Sequence, residues 1–253
     1  MPSAGCWQDN RSDECDRTRM FSMTQVELYS ASVCPFAHRT RLTLLEKGVD
    51  FTLIEIDLEN KPDWFIEVSP YSKVPVLKYG DDRVWESSII NEYLDEVFPK
   101  PPLMSQQPGQ RGLARIWIDF ANTKFINTFY KLLLNQDSDK QQKWKQDFLN
   151  HLLFMEQEGI GKLGGKGPYW FGESVSLVDL TFYPWFERWA VVEHYRNLSL
   201  PSECKRLQQW WEAMSNRDSV KAIANLPQFY IKEYEKYANN TASGITAQEM
   251  RNN

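Results

Sequence analysis

Three kinds of reactive side chain crowd into one short stretch, "SASVCPFAHRTRLTLLEKGV" over residues 30–49. They are the thiol of Cys34, the imidazole of His38 and the hydroxyls of Ser30 and Ser32. Pro35 at a first turn and Gly48 as a stop predict a helix over 35–47, with Leu42, Leu45 and Phe36 on its apolar side. Cys34 then stands at the helix mouth. Free N–H groups and the positive end of the helix dipole favour a thiolate there and lower the thiol pKa, and only the thiolate attacks. The residue type alone also allows a buried structural thiol, because free cysteine is often buried. Ala37 stands where a C-x-x-C motif would have its second cysteine. A nucleophile here is therefore monothiol, and its resolving thiol comes from elsewhere. His38, one helical turn on, is within reach as a general base, but its ring is expected to face solvent or a neighbour.

The elements that must position Cys34 follow from periodicity. Strands are predicted at 26–30 and 51–57, a short helix at 61–68, a hairpin over 74–86 turning near Gly80-Asp81-Asp82, and a helix over 87–98. The order β-α-β-α-β-β-α over residues 25–98 makes one compact α/β layer. Residues 99–110, "PKPPLMSQQPGQ", lack periodicity and read as a linker. Residues 111–238 are helical throughout. Their first apolar stripe is Leu113, Ile116, Trp117, Phe120 and Ala121, and their second is Ile126, Phe129, Tyr130, Leu133 and Leu134. The phase slips near Thr123, which marks a kink or break. Ser176-Leu177-Val178-Asp179 is a capping-box variant, with Val175 and Leu180 placed as a hydrophobic staple. Residues 1–24 read as a disordered extension and 239–253 as a disordered tail.

Composition excludes several classes. The 253 residues are 42% hydrophobic with net charge -5. A core is affordable, and no basic stripe invites nucleic acid. No apolar run suits a membrane span, and the N-terminus lacks a signal-peptide core. Four cysteines, two of them in the extension, do not make a disulfide framework, so a reducing cytoplasm is the expected compartment. The glycine-rich "GIGKLGGKG" (159–167) lacks the Ser/Thr and the first glycine of a phosphate loop. Seven of the ten tryptophans fall in 111–238, which points to a large core there.

Taken together, the α/β layer, the proline-rich linker and the all-helical domain resemble a cytosolic glutathione transferase. "CPFAHRTRLTLLEKG" resembles the active-site helix of its cysteine-type, omega-like and lambda-like branch. "DLENKPDWF" (57–65), "SKVPVL" (72–77), "WESSIINEYLDEVFP" (85–99), "SLVD" (176–179) and "YPWFERW" (183–189) agree in order and spacing over roughly residues 25–238. The resemblance implies an N-terminal thioredoxin-like domain followed by an all-helical domain. It implies no permanently bound cofactor and no metal, with glutathione as co-substrate and a homodimer as the assembly.

Residue by residue, the resemblance makes Cys34 catalytic and places Phe36, Lys61, Val74, Pro75, Glu86 and Ser87 at glutathione. Val74-Pro75 is expected cis, freeing the Val74 backbone to pair with the peptide. Glu86 and Ser87 are expected at the γ-glutamyl end, with Ser87 also eligible as a helix cap, and Lys61 at the glycine carboxylate. Candidates for an electrophile pocket are Trp117, Phe120, Tyr183, Arg188 and Tyr230, with Arg188 foremost. The implied activity is glutathione-dependent thiol transfer and reduction on glutathionylated disulfides or dehydroascorbate. Two alternatives stay open: conjugation of glutathione to electrophiles through a serine hydroxyl, and a non-enzymatic binding protein similar to the stringent-starvation proteins.

Overall fold

The computed structural model describes residues 25–252, so the extension expected over 1–24 lies outside the described residues. Along the chain run β1 (Val26–Ser30), α1 (Pro35–Lys47), β2 (Phe51–Glu55), α2 (Phe65–Val68), β3 (Val76–Tyr79), β4 (Asp82–Trp85) and α3 (Ser87–Val97). These form a four-stranded sheet of order β2-β1-β3-β4. β1 pairs parallel with β2 and antiparallel with β3, and β3 and β4 form the predicted hairpin.

Alternation along the strands builds two faces. Val26, Leu28 and Leu77 pack with Leu44 of α1 and with Ile90 and Leu94 of α3. Tyr29 and Val76 point the other way, onto Phe65 and Val68 of α2. Helix α1 begins and ends where proline and glycine predict: Gly48 adopts φ 61, and its N–H closes the last turn on Leu44 and Leu45. The helix is not amphipathic, however. Leu44 is buried where Leu45 was expected, and His38, Arg39, Thr40, Arg41 and Thr43 are buried as well. The reason is position, since α1 lies between α3 on one side and the helical domain's α8 (Leu177–Glu187) on the other.

The helical domain contains α4 (Pro108–Phe120), α5 (Ile126–Leu134), α6 (Ser138–Phe154), α7 (Gly161–Leu163), α8 (Leu177–Glu187), α9 (Trp189–Arg196), α10 (Lys205–Ser215), α11 (Asp218–Lys221), α12 (Pro227–Ala238) and α13 (Ile245–Asn252). The phase slip near Thr123 is a π-turn, Ala121–Phe125, and a second π-turn spans Met155–Ile160. The second apolar stripe is buried as expected. The first is rotated: Ala114, Trp117, Ile118 and Ala121 face the core, while Leu113 and Ile116 are exposed. The glycine-rich loop is a packing device. A Cβ on Gly159 would stand 2.7 Å from the Trp170 ring, and one on Gly167 would stand 2.1 Å from the Gly172 backbone.

Ser176 caps α8 reciprocally with Asp179. The buried Asp179 carboxylate also accepts from the Trp170 backbone N–H at 2.9 Å and from the Trp210 indole at 2.8 Å. The box thus ties three segments together.

Two boundaries differ from expectation. The linker over 99–110 is pinned rather than loose: Asp95 accepts from the Leu103 and Met104 N–H groups, and α4 starts inside it at Pro108. The tail expected to be disordered over 239–253 contains α13. Small residues decide this, because Ala242 and Ala247 let the chain pack closely. Arg251 folds back onto the Asn240 side chain and the Ala242 carbonyl.

Among the described residues, no helix is long and apolar enough to cross a membrane, and no cluster of His, Cys, Asp and Glu could hold a metal ion.

Candidate active site

Cys34 is the N-cap of α1, in extended conformation (φ -77, ψ 118). Its Sγ accepts the Ala37 N–H at 3.5 Å, and its S–H faces the Val74 carbonyl oxygen at 3.8 Å. The Val74-Pro75 bond is cis, as expected. The side chain is partly exposed. Burial of the site pushes the thiol up, while the Ala37 and Phe36 N–H groups and the charges of Arg188 and Arg41 pull it down. The net direction is upward, which corrects the expectation of a lowered thiol. The helix mouth supplies its predicted donors, and desolvation outweighs them.

Beside Val74 opens a cavity of about 270 Å³. Phe36, Val74, Pro75, Glu86 and Ser87, which the resemblance groups at glutathione, line it together. Glu86 adopts φ 69, a region that non-glycine residues rarely enter, at the position preceding α3. Such strain often marks a functional position. Ser87 is the first helical residue rather than the cap, because Glu86 takes the N-cap position. The Ser87 hydroxyl accepts from Arg39 instead, at 3.4 Å.

Lys61 is not at the cavity. Its Nζ donates to the Ser72 carbonyl at 2.7 Å, and partial burial and then neighbouring Lys73 lower its pKa. The lysine that lines the cavity is Lys73.

Arg39 was not anticipated. It is 1% exposed, lines the cavity, and packs its guanidinium over the Trp185 ring at 4.6 Å. Nε donates to the Thr181 carbonyl and Nη1 to Asn122 Oδ1, both at 2.9 Å, whereas Nη2 has no partner. Burial lowers its pKa to about 9. Asn122 belongs to the π-turn, so the predicted phase slip is what delivers an amide to this site. Arg41 and Lys47 of the same helix are buried too, so no signal in the sequence singles Arg39 out.

The expected electrophile-pocket residues do not line the cavity. Trp117 packs edge-on to Trp170 and Phe120, and Phe120 packs against His151 and Phe154. Tyr183 and Tyr230 are buried. Arg188 is fully buried, with Cζ 4.2 Å above the Tyr230 ring. Its Nη2 donates to the Val33 carbonyl, and its Nη1 meets His38 Nδ1 and the Pro184 carbonyl. These side chains are core and clamp, because aromatic residues at helical spacing pack inward in a domain this size. His38 does face neighbours: Nδ1 must accept from Arg188, which leaves the proton on Nε2, 3.8 Å from Glu187.

Residues 33–97 match the family model of the glutathione S-transferase N-terminal domain, and residues 138–213 match that of the C-terminal domain. Glutathione S-transferase U25 of Arabidopsis thaliana is 36% identical over 190 residues, covering 73% of this chain and 82% of that protein. Glutathione S-transferase omega-1 of Sus scrofa is 30% identical over 203 residues, covering 78% and 80% respectively. The crystal structure of a Tau class glutathione S-transferase from mango superposes with TM-score 0.79 at 25% identity, over 85% of this chain and 99% of that one. With both domains matched and relatives at 30% identity or more over most of its length, the chain belongs to the glutathione S-transferase family.

Proposed function

We propose that the protein is a glutathione-dependent thiol transferase and reductase working through Cys34. The observation that carries this reading is the placement of the Cys34 Sγ, capping α1 and 3.8 Å from the Val74 carbonyl that borders the cavity. Glutathione binds along Val74, with its γ-glutamyl end towards Glu86 and Ser87. When the cysteinyl N–H of glutathione pairs with the Val74 carbonyl, the S–H loses its acceptor. The Ala37 N–H remains, and it favours the thiolate. The thiolate attacks the glutathione sulfur of a mixed disulfide. The S–S bond breaks, and the released thiolate takes up a proton. A Cys34–glutathione disulfide has formed. A second glutathione thiolate attacks it, regenerates Cys34 and leaves as oxidised glutathione. With dehydroascorbate, two glutathiones supply the two electrons and two protons. Ala37 provides no internal resolving thiol, so the second glutathione is obligatory.

Cys34→Ser is the test. It should abolish disulfide and dehydroascorbate reduction and the covalent glutathione adduct seen by mass spectrometry. Retained reductase activity in that variant would sink the assignment.

Similarity to U25 and to the mango Tau class structure supports a second reading, conjugation of glutathione to electrophiles. Under that reading Cys34→Ser keeps or raises conjugation of a chlorinated aromatic substrate. Ser30 is fully buried in β1 and Ser32 is exposed, so neither stands where Cys34 does. Exposed Ile89 on α3 and Leu113 and Ile116 on α4 support a homodimer through those helices, and the free thiols of Cys34 and Cys204 suit a cytoplasmic setting.

A further inference from the structure

Helix α13 brings a carboxylate into the cavity. Thr246, Glu249 and Met250 line it together with Lys73. Both oxygens of Glu249 accept from Lys73 Nζ, at 2.6 and 2.7 Å. The Lys73 side chain is 32% exposed and that of Glu249 is 48% exposed. A pair this wet contributes little net stability, because water competes for both ends and salt screens them.

The anchors of α13 lie elsewhere. Ala247 is fully buried, Met250 packs on the helical core, and Arg251 holds the Asn240 and Ala242 carbonyls. Glu249 is thus not needed to keep the helix docked. What it does is occupy Lys73, a cation lining the cavity and adjacent in sequence to Val74. A ligand with a carboxylate at that end meets a lysine that already holds one.

We propose that Glu249 is an internal carboxylate that sets the enzyme's selectivity at this end of the site: it occupies Lys73 in competition with the terminal carboxylate of the bound thiol peptide. This rests on the glutathione reading of the cavity. The consequence is a penalty paid only by ligands carrying that carboxylate. A ligand that binds only when Lys73 is released from Glu249 shows an affinity reduced by the released fraction. A ligand whose glycine end is an uncharged amide needs no such release.

The experiment is isothermal titration calorimetry on the full chain and on Glu249→Gln, which keeps the size of the side chain and removes its charge. The probes are S-methylglutathione and its C-terminal amide. Glu249→Gln should bind S-methylglutathione about two- to fivefold more tightly, as expected if so exposed a pair leaves Lys73 free for about a fifth to a half of the time in the native protein. The amide should bind both proteins alike. Unchanged or weaker binding of S-methylglutathione by Glu249→Gln overturns the proposal, and so does an equal gain for the acid and the amide, while leaving the glutathione reading intact. No binding of either probe to either protein removes the glutathione reading and the proposal with it.

Discussion

Arg188 donates from Nη2 to the carbonyl of Val33, the residue before Cys34, at 3.1 Å. Its Nη1 lies 3.2 Å from His38 Nδ1, four residues after Cys34. One guanidinium from the helical domain therefore grips both sides of the Cys34 turn. Its charge also lowers the thiol pKa, against the larger upward effect of burial.

Replacing Arg188 should therefore act on the thiol. Arg188→Met removes the charge and the clamp, and the Cys34 pKa should rise further. Alkylation at neutral pH should slow by about three- to tenfold, the change that half to one pKa unit brings. The measurement is iodoacetamide rate against pH. Arg188→Lys keeps the charge and should fall between the two. An unchanged profile in a folded Arg188→Met protein would remove the electrostatic role.

Arg39 makes a second prediction. No carboxylate pairs with it among the described residues, and it lines the cavity while its Nη2 is buried without a partner. A buried cation without an anion is costly, so an incoming carboxylate is welcome there. In Arg39→Met, KM for glutathione should rise by about tenfold or more, with a smaller change in kcat, as expected for lost binding. Steady-state kinetics at fixed second substrate checks this. A fall in kcat with KM unchanged would contradict it.

His38 predicts a pH dependence. Burial, followed by the charges of Arg188 and Arg41, holds its pKa well below 6.5. The unfolded chain takes up a proton near pH 6.5 that the folded chain refuses. The stability from keeping His38 neutral is present above pH 6.5 and is lost as pH falls below it, by at most about 1.4 kcal/mol per pH unit. Denaturant unfolding of the native protein and of His38→Gln between pH 7 and pH 5 should show a shallower slope in the variant. Parallel slopes would mean that His38 does not carry the effect.

Asp179 predicts a stability loss. It accepts from Ser176 through both its N–H and its hydroxyl, and from Trp170 and Trp210, while fully buried. Asp179→Ala strands those donors and should destabilise by about 3 kcal/mol or more. Ser176→Ala removes part of one cap and should cost about 1 kcal/mol. Chemical denaturation of the two variants should keep that order.

The positions of chain punctuation were legible in the sequence. Pro35 and Gly48 bound α1, Ser176 and Asp179 start α8, and the slipped apolar phase marks the π-turn, because each is a local matter of backbone angles and nearby hydrogen bonds. The motif residues Phe36, Val74, Pro75, Glu86 and Ser87 also meet in one cavity as expected. What could not be read was which charged side chain faces that cavity. Lys61 and Lys73 look alike in sequence, and only the path of the loop decides that one caps the Ser72 carbonyl while the other lines the site. Arg39 and Arg41 look like the solvated face of a helix until α8 covers them.

By itself, then, the sequence determined the two-domain architecture, the placement of Cys34 at a helix mouth and the segments that line the cavity. The tertiary structure alone decided the electrostatics: a thiol pushed up by burial, an arginine clamp behind it, a buried cation beside the cavity and a C-terminal glutamate on Lys73. Desolvation and charge pairing depend on what distant segments bring into contact, and residues 73 and 249 become neighbours only when the chain is folded.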